Sequence, residues 1–415
     1  MGTQQTTPQG SAFDATALFA ERVATIPSSF IRDILKVTAR PEVISFAGGL
    51  PNPAFFPVEA IHKATDSAMT KSGKAMLQYS TTEGFLPLRE WISERYKSQQ
   101  GLDISPDDIL ITNGSQQSID LVGKIFLDKG DRVVLENPGY LGAIQSFSAY
   151  QPAFVTVELN EDGIDTVALE QAVLNTKPKL VSTIPNFQNP TGISYSLEIR
   201  ERVGDVLKSK NVVVIEDDPY GDLKFVNHRL PSLKHYLGNQ LIQFGSFSKI
   251  VAPGLRLGWV AAHRSIIDKL NVAKQAADLH SNFFAQRVMF EYLSTNNIDT
   301  HIATICQAYK YQRDVMISAI GESLPSGLHH TMPEGGMFIW LTLPEGASSV
   351  KLLELALRRN VAFVPGKPFF ANGGGENTMR LNFSNSDEQT IREGMRRLGE
   401  AVAELLQHHT VSVAV

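Results

Sequence analysis

Cysteine is nearly missing from this sequence: among 415 residues there is one, Cys306. A single thiol cannot close an intramolecular disulfide or build a cysteine zinc site, so a reducing compartment, the cytoplasm, is the expected location. In a helical-looking segment such a residue reads as core packing. Long apolar runs are missing too. Nothing approaches the ~18–20 apolar residues that a membrane span requires, so no membrane partner is expected. The opening stretch "MGTQQTTPQGSA" lacks both the basic and the apolar region of a secretory signal, and residues 1–14 are expected to be a disordered start. There is also no basic excess: 38 lysines and arginines face 43 aspartates and glutamates, a formal charge of −5. Without a clustered basic stripe, that balance argues against nucleic acid as a partner. Internal repeats and low-complexity linkers are absent as well.

What is present is ordinary globular material, with 43% hydrophobic and 20% charged residues, enough for a large core. The length favours a large unit with a smaller one. Short β-branched runs alternate with helical-period segments: "DILIT" (108–112), "RVVLE" (132–136), "AFVTVEL" (153–159), "KLVSTIP" (179–185), "VVVIED" (212–217), "LIQFG" (241–245) and "LGWVAAH" (257–263). Runs that are apolar throughout, separated by helices such as 114–127 and 197–210, predict an α/β fold whose mostly parallel sheet is covered by helices on both faces. From about residue 328 the pattern changes to a hairpin, a helix (350–359), "VAFVPG", a glycine-rich loop, "TMRLNFS" and a long final helix (388–408). This predicts a smaller α+β domain over 316–415, joined by an N-terminal segment (15–50), with the large domain over 51–315.

In such sheets ligands bind beyond the carboxyl ends of the strands, and four stretches place polar residues there. In "TNGSQQSIDL" Ser115 and Gln116 open a helix, whose unpaired N–H groups suit a phosphate, although Ser115 is equally an ordinary cap. "NPTG" (189–192) is turn chemistry by default. "VIEDDPYGDL" puts Glu216, Asp217 and Asp218 after an apolar strand. Two of these acids are expected to be solvated or capping, and one that points inward needs a protonated partner. "GSFSKIVAPGLRLGW" sets Lys249 between Ser246, Ser248 and Arg256. A desolvated lysine loses its proton and attacks aldehydes, while the serines and the arginine make an anion cradle. An aldehyde beside a phosphate describes pyridoxal phosphate.

These features, in this order, resemble the fold-type I pyridoxal-phosphate-dependent aminotransferases, over nearly the whole chain from "ISFAGGLPNPAFFP" (44–57) to "FFANGGGENTMRLNFS" (369–384). The resemblance is greatest to the 2-aminoadipate aminotransferases, whose relatives include kynurenine and aromatic aminotransferases. It implies that Lys249 carries the cofactor as a Schiff base and shuttles the substrate proton. It further implies that Asp217 keeps the ring nitrogen protonated, that Asn189 and Tyr220 hydrogen-bond the ring 3-oxygen, and that Tyr140 stacks on the ring. Ser115, Gln116, Ser246, Ser248 and Arg256 would hold the phosphate. Tyr79 in "LQYSTTEG" would reach the phosphate of a neighbouring subunit, so an active homodimer with shared sites is expected. Arg380 matches the arginine that grips the substrate α-carboxylate, aided by Asn189; read without the family, it is equally a buried salt bridge. Gly49 in "FAGGLP" leaves room for substrate. Arg32 in "SSFIRDILK", with Ser29 one helical turn before it, matches a group that recognises a distal carboxylate; its bland alternative is a surface pair with Asp33 or Glu42.

The expected activity is broad transamination between an L-amino acid (2-aminoadipate, glutamate, aromatic or aliphatic) and 2-oxoglutarate. Competing readings are an aromatic or branched-chain aminotransferase, a carbon–sulfur lyase or decarboxylase on the same scaffold, and the effector half of a transcriptional regulator. Only about 40 residues precede "ISFAGGLP", few for a winged-helix domain and linker. His280 in "DLHSNFF" sits at a helix end, and the run 372–377 reads as a flexible turn rather than a phosphate loop.

Overall fold

In the computed structural model residues 14–24 and 40–413 are described. The strands are β1 (Ile44–Ser45), β2 (Ile109–Thr112), β3 (Arg132–Asn137), β4 (Ala153–Asn160), β5 (Gly163–Ile164), β6 (Leu180–Thr183), β7 (Val213–Asp217), β8 (Leu241–Ser246), β9 (Gly258–Ala261), β10 (His329–His330), β11 (Phe338–Thr342), β12 (Val361–Ala362), β13 (Val364–Pro365) and β14 (Thr378–Asn382). Eight of them form one sheet in the order β2-β9-β8-β7-β6-β3-β4-β5. From β4 to β8 every neighbouring pair across β3, β6 and β7 is parallel, whereas β9 runs antiparallel to both β2 and β8.

The apolar runs become strands because both faces of the sheet are covered. Side chains alternate across a strand, and the core divides accordingly. Val133 and Leu135 of β3, Leu180 of β6, Ile215 of β7 and Ile242 of β8 pack on one face, with Ile119 and Val122 of the helix Ser115–Phe126. Their neighbours Val134, Val181, Val214 and Leu241 pack on the other, with Leu169 of the helix Thr166–Thr176 and Val203 of the helix Leu197–Leu207. A strand buried on both sides needs no polar alternation, which is why the sequence shows continuous apolar runs.

The second sheet has four antiparallel strands in the order β10-β11-β14-β13, as the expected hairpin and "TMRLNFS" strand require. The chain around residue 45 reaches this part through β1, which pairs in parallel with β12 in the register Ile44↔Val361. The final helix runs Glu388–Val413, five residues beyond the expected end. Cys306 is half-buried on the helix Ile298–Ser323 and packs against the main core. Burial pushes its thiol up to about 11, so it is inert at neutral pH. Among the described residues no helix is long and apolar enough to cross a membrane.

Candidate active site

Parallel strands end on one edge of the sheet, and the loops after β3, β6, β7 and β8 meet there around a cavity of about 240 Å³. Ser115, Gln116, Tyr140, Asn189, Asp217, Tyr220, Ser246, Ser248, Lys249 and Arg256 line it. Gly49 and Arg380 join them from outside the large sheet. Residues from opposite ends of the sequence thus share one wall.

The acids at the end of β7 separate by direction. Glu216 faces away from the cavity and accepts from Ser232 Oγ at 2.9 Å, Leu233 N at 2.8 Å and Gln243 Nε2 at 3.0 Å. Asp218 accepts from Asn186 Nδ2 at 2.9 Å. The expectation that two of the three acids are solvated or simple caps is corrected here. Glu216 is fully buried and Asp218 mostly so, because the loop carrying Ser232 folds over the strand end and supplies donors. Asp217 is buried as well, yet its Oδ1 has no partner among the described residues. Burial, with the charges of Asp218 and Glu136 adding to it, raises its carboxyl from 3.8 to about 7.

Lys249 stands across the cavity, where Nζ donates to the Gly49 carbonyl at 2.8 Å. Burial, with the positive charges of Arg380 and Arg256 adding to it, lowers its ammonium to about 8. Among the described residues no carboxylate pairs with Lys249, so the amine is driven toward its neutral, nucleophilic form.

The cradle expected for an anion takes shape at the start of the helix Ser115–Phe126. Its cap, Gly114, has φ +78° and ψ 166°, a conformation essentially reserved for glycine. Ser115 and Gln116, the first two residues of the helix, line the cavity at the positive end of the helix dipole. Arg256 takes a left-handed φ of +52°, and its Nη2 donates to Asn113 O at 3.1 Å. That contact ties the guanidinium to the same loop. Ser246 Oγ accepts from Ser248 N at 3.1 Å, which folds the two serines back on each other.

Arg380 lies in β14 between Trp340 of β11 and Val364 of β13. It is not the buried salt bridge that its sequence position also allowed. Nη1 donates to Asn189 Oδ1 at 2.8 Å and Nη2 to Ala47 O at 2.7 Å, and Nε has no partner among the described residues. The guanidinium sits 4.3 Å from the Phe338 ring centroid and 5.3 Å from that of Phe369. Burial lowers its pKa to about 10, an unusual cost for an arginine that no acid among the described residues neutralises. Asn189 links the two sides of the site, since its Nδ2 also donates to Tyr220 Oη at 3.3 Å.

Phe338 was not singled out from the sequence. It packs beneath Arg380, edge-on to Tyr220 with ring centroids 5.8 Å apart, and so close to Gly49 that a Cβ there would lie 3.3 Å from its ring. Its signal was available as the aromatic residue in the apolar run "MFIWL" preceding the strand partner of Arg380. Ile184, which also lines the cavity, gave no such signal. Tyr79 is not brought to this cavity. It is 78% exposed and stacks edge-on against His280, which therefore does not line the cavity either. Ser29 and Arg32 lie outside the described residues.

A profile for "Aminotransferase class I and II" matches residues 42–398. The chain belongs to the class I and II aminotransferases. It is 42% identical over 406 residues to an aromatic-amino-acid aminotransferase 1 of Thermococcus litoralis, covering 95% of this chain and 96% of that one. It is 43% identical over 394 residues to a 2-aminoadipate transaminase of Thermus thermophilus, covering 94% and 97%. The crystal structure of an α-aminoadipate aminotransferase from Thermus thermophilus, complexed with N-(5'-phosphopyridoxyl)-L-leucine, superposes with a TM-score of 0.89 at 42% identity. That match covers 95% of this chain and all of the other. The sheet order and the smaller antiparallel sheet are those of the aminotransferase fold expected from the sequence.

The aminotransferase's own residues fit pyridoxal phosphate. Bare Oδ1 of Asp217 calls for a donor carrying positive charge, which a protonated pyridine nitrogen is. The amine of Lys249, free of any described acid, suits an aldehyde, and the helix start with Arg256 suits a phosphate dianion.

Proposed function

We propose that this aminotransferase, with pyridoxal phosphate as its cofactor, moves the amino group of a broad set of L-amino acids to 2-oxoglutarate, with 2-aminoadipate and glutamate among its preferred donors. One observation carries the reading: a buried arginine, Arg380, opens onto the same cavity as Lys249, and neither has an acid partner among the described residues. The substrate α-carboxylate is the anion that Arg380 lacks, and a planar guanidinium grips it at two oxygens. Identity near 42% to relatives named for 2-aminoadipate and for aromatic amino acids supports a wide donor range.

When bound, pyridoxal phosphate supplies an aldehyde for amines and a cationic ring that withdraws the α-carbon electron pair. The chain's residues do the rest. Asp217 holds a proton at the ring nitrogen, because its carboxylate gains a hydrogen bond and loses an unpaired charge by doing so. Tyr220 and Asn189 present their polar groups together to the ring oxygen. Lys249, with a pKa near 8, would take a proton from the substrate α-carbon and hand it to the carbon that was the cofactor's aldehyde carbon, which needs an amine that is neutral part of the time at neutral pH. Asn189 and the Ala47 carbonyl hold Arg380 in place while it binds the carboxylate. Arg32, with Ser29, is proposed to receive a distal carboxylate. The division into a large cofactor-binding domain and a smaller C-terminal one belongs to the same proposal, as does the homodimer with shared sites.

The test is the half-reaction. Cofactor-loaded protein mixed with L-2-aminoadipate, L-glutamate, L-kynurenine, L-phenylalanine or L-leucine, without acceptor, is expected to lose its visible absorbance fastest with the two dicarboxylates. Arg32→Ala should remove that advantage while leaving leucine nearly unaffected. A profile led by phenylalanine or leucine would make the chain an aromatic or branched-chain aminotransferase. Release of ammonia without acceptor would make it a lyase.

A further inference from the structure

We propose that Glu136 is a positioning residue, a buried carboxylate that sets Asn189 by gripping the side chain of Gln188. The inference rests on the reading of Asn189 given above. Glu136 is the penultimate residue of β3, directly after the apolar Val133, Val134 and Leu135, and is buried. Its Oε1 accepts from Ile184 N at 2.9 Å and Tyr195 Oη at 2.6 Å, and its Oε2 from Gln188 Nε2 at 3.0 Å. No cation is among these partners. Burial raises the carboxyl, and the three donors oppose that rise. An apolar side chain would close this strand end at lower cost, since a buried charge seldom adds stability over well-packed carbon. What the charge gains is geometry.

The network is closed and oriented. Gln188 Oε1 accepts from Thr191 N at 2.9 Å and Thr191 Oγ1 at 2.8 Å, which fixes the amide with its nitrogen toward Glu136 and the Pro138 carbonyl, 2.8 Å away. Both ends of the Gln188 main chain are also engaged, with Ile193 O and Gly192 N. One amide side chain therefore ties the loop that presents Tyr140 to the loop that presents Asn189. The anchor of that tie is Glu136. Asn189 in turn bonds Arg380 and Tyr220, so a displacement at residue 188 is felt at both the carboxylate-binding and the cofactor-facing group.

Glu136→Gln keeps the volume but breaks the pattern. Both oxygens face atoms that can only donate, Ile184 N and the Gln188 Nε2 that Thr191 holds in this orientation, so a carboxamide puts an NH₂ against one of them whichever way it turns. Gln188→Met keeps the charge at Glu136 and removes the tie, together with the two Thr191 bonds that orient it. We expect both variants to change the ratio of the two protonation-state absorbance bands of the bound cofactor at fixed pH by about threefold, the equivalent of half a pK unit. They should also raise the cofactor Kd of the apoprotein and raise KM for the amino donor by roughly tenfold, more than kcat falls. Asn189→Ala is the reference. If it leaves the bands and KM unmoved, the reading of Asn189 fails and this inference with it. If it moves them and Gln188→Met does not, the route through Gln188 is overturned, even where Glu136→Gln has an effect of its own. A lowered Tm with unchanged bands, Kd and KM would make Glu136 merely structural. Should Glu136→Gln fail to fold, Gln188→Met decides alone.

Discussion

Glu216, Asp217 and Asp218 follow one another along the end of β7, yet hydrogen bonds reach the first and third and leave Oδ1 of the middle one without a partner among the described residues. Such an arrangement is costly in the empty protein and useful in the loaded one. With the folded pKa of Asp217 raised from 3.8 to about 7, the folded state binds more protons than the unfolded state between those values. This group therefore favours folding below pH 3.8, and its contribution is lost as pH rises through about 7. Asp217→Asn removes the titration. The expected outcome is an apoprotein whose stability, relative to wild type, improves steadily as denaturant melts are run from pH 4 to pH 7. Turnover of the loaded variant should fall by roughly 10²–10³-fold, as when a fixed charge that stabilises a transition state is lost. Glu216 also has a raised pKa, but it is common to both proteins and cancels in the difference. A relative stability that stays flat with pH would mean that Asp217 is not held near neutrality by its site.

At the scale of elements, the parts of the site that lie within one loop were legible and the parts that depend on distant pairing were not. Lys249, Ser246, Ser248 and Arg256 are held by one turn after β8, and Asp217 with Tyr220 by one turn after β7, so spacing and residue type carried their chemistry. Gly49 and Arg380 reach Lys249 only because β1 pairs with β12 and β14 runs beside β11, contacts that no local pattern encodes. The resemblance to a family supplied them. Nor did local pattern show that the loop after β7 covers Glu216, or that Gln188 joins two loops. The helix start proposed as the anion cradle is legible in another way, through Gly114. Its φ and ψ exclude a side chain, and a Cβ there would come within 2.6 Å of Arg256 Nη2. Gly114→Ala is expected to cost about 1–3 kcal/mol of stability and to push the guanidinium out of the cradle. Titration of the apoprotein with pyridoxal phosphate should then show a cofactor Kd raised by at least tenfold. Titration with pyridoxal, which has no phosphate, should change much less. Equal losses for both ligands would mean that the loop does not hold the phosphate.

Across the whole molecule, Tyr79 is the residue without a place. It stands exposed against His280, away from its own cavity, in a stretch where Leu50, Val58, Met69, Leu77 and Leu86 are exposed as well. A run of uncovered apolar side chains is what a subunit interface leaves on a single chain. In the proposed homodimer Tyr79 completes the neighbour's cradle, which gives each cavity two sources. Two inactive proteins then suffice as a test. Lys249→Ala destroys a chain's own site but leaves its Tyr79 to donate, whereas Tyr79→Ala spoils the neighbour's site but leaves its own lysine intact. In a mixed dimer one cavity combines both defects and the other combines both intact residues. Random reassortment makes half of the dimers mixed, so activity should recover to about a quarter of wild type, provided subunits exchange during mild denaturation and renaturation. Mixing without exchange should recover none. If exchange is verified by mass and activity stays at the level of the parents, each chain builds its cavity alone, and a Tyr79→Ala parent that is itself active would make Tyr79 a surface residue only.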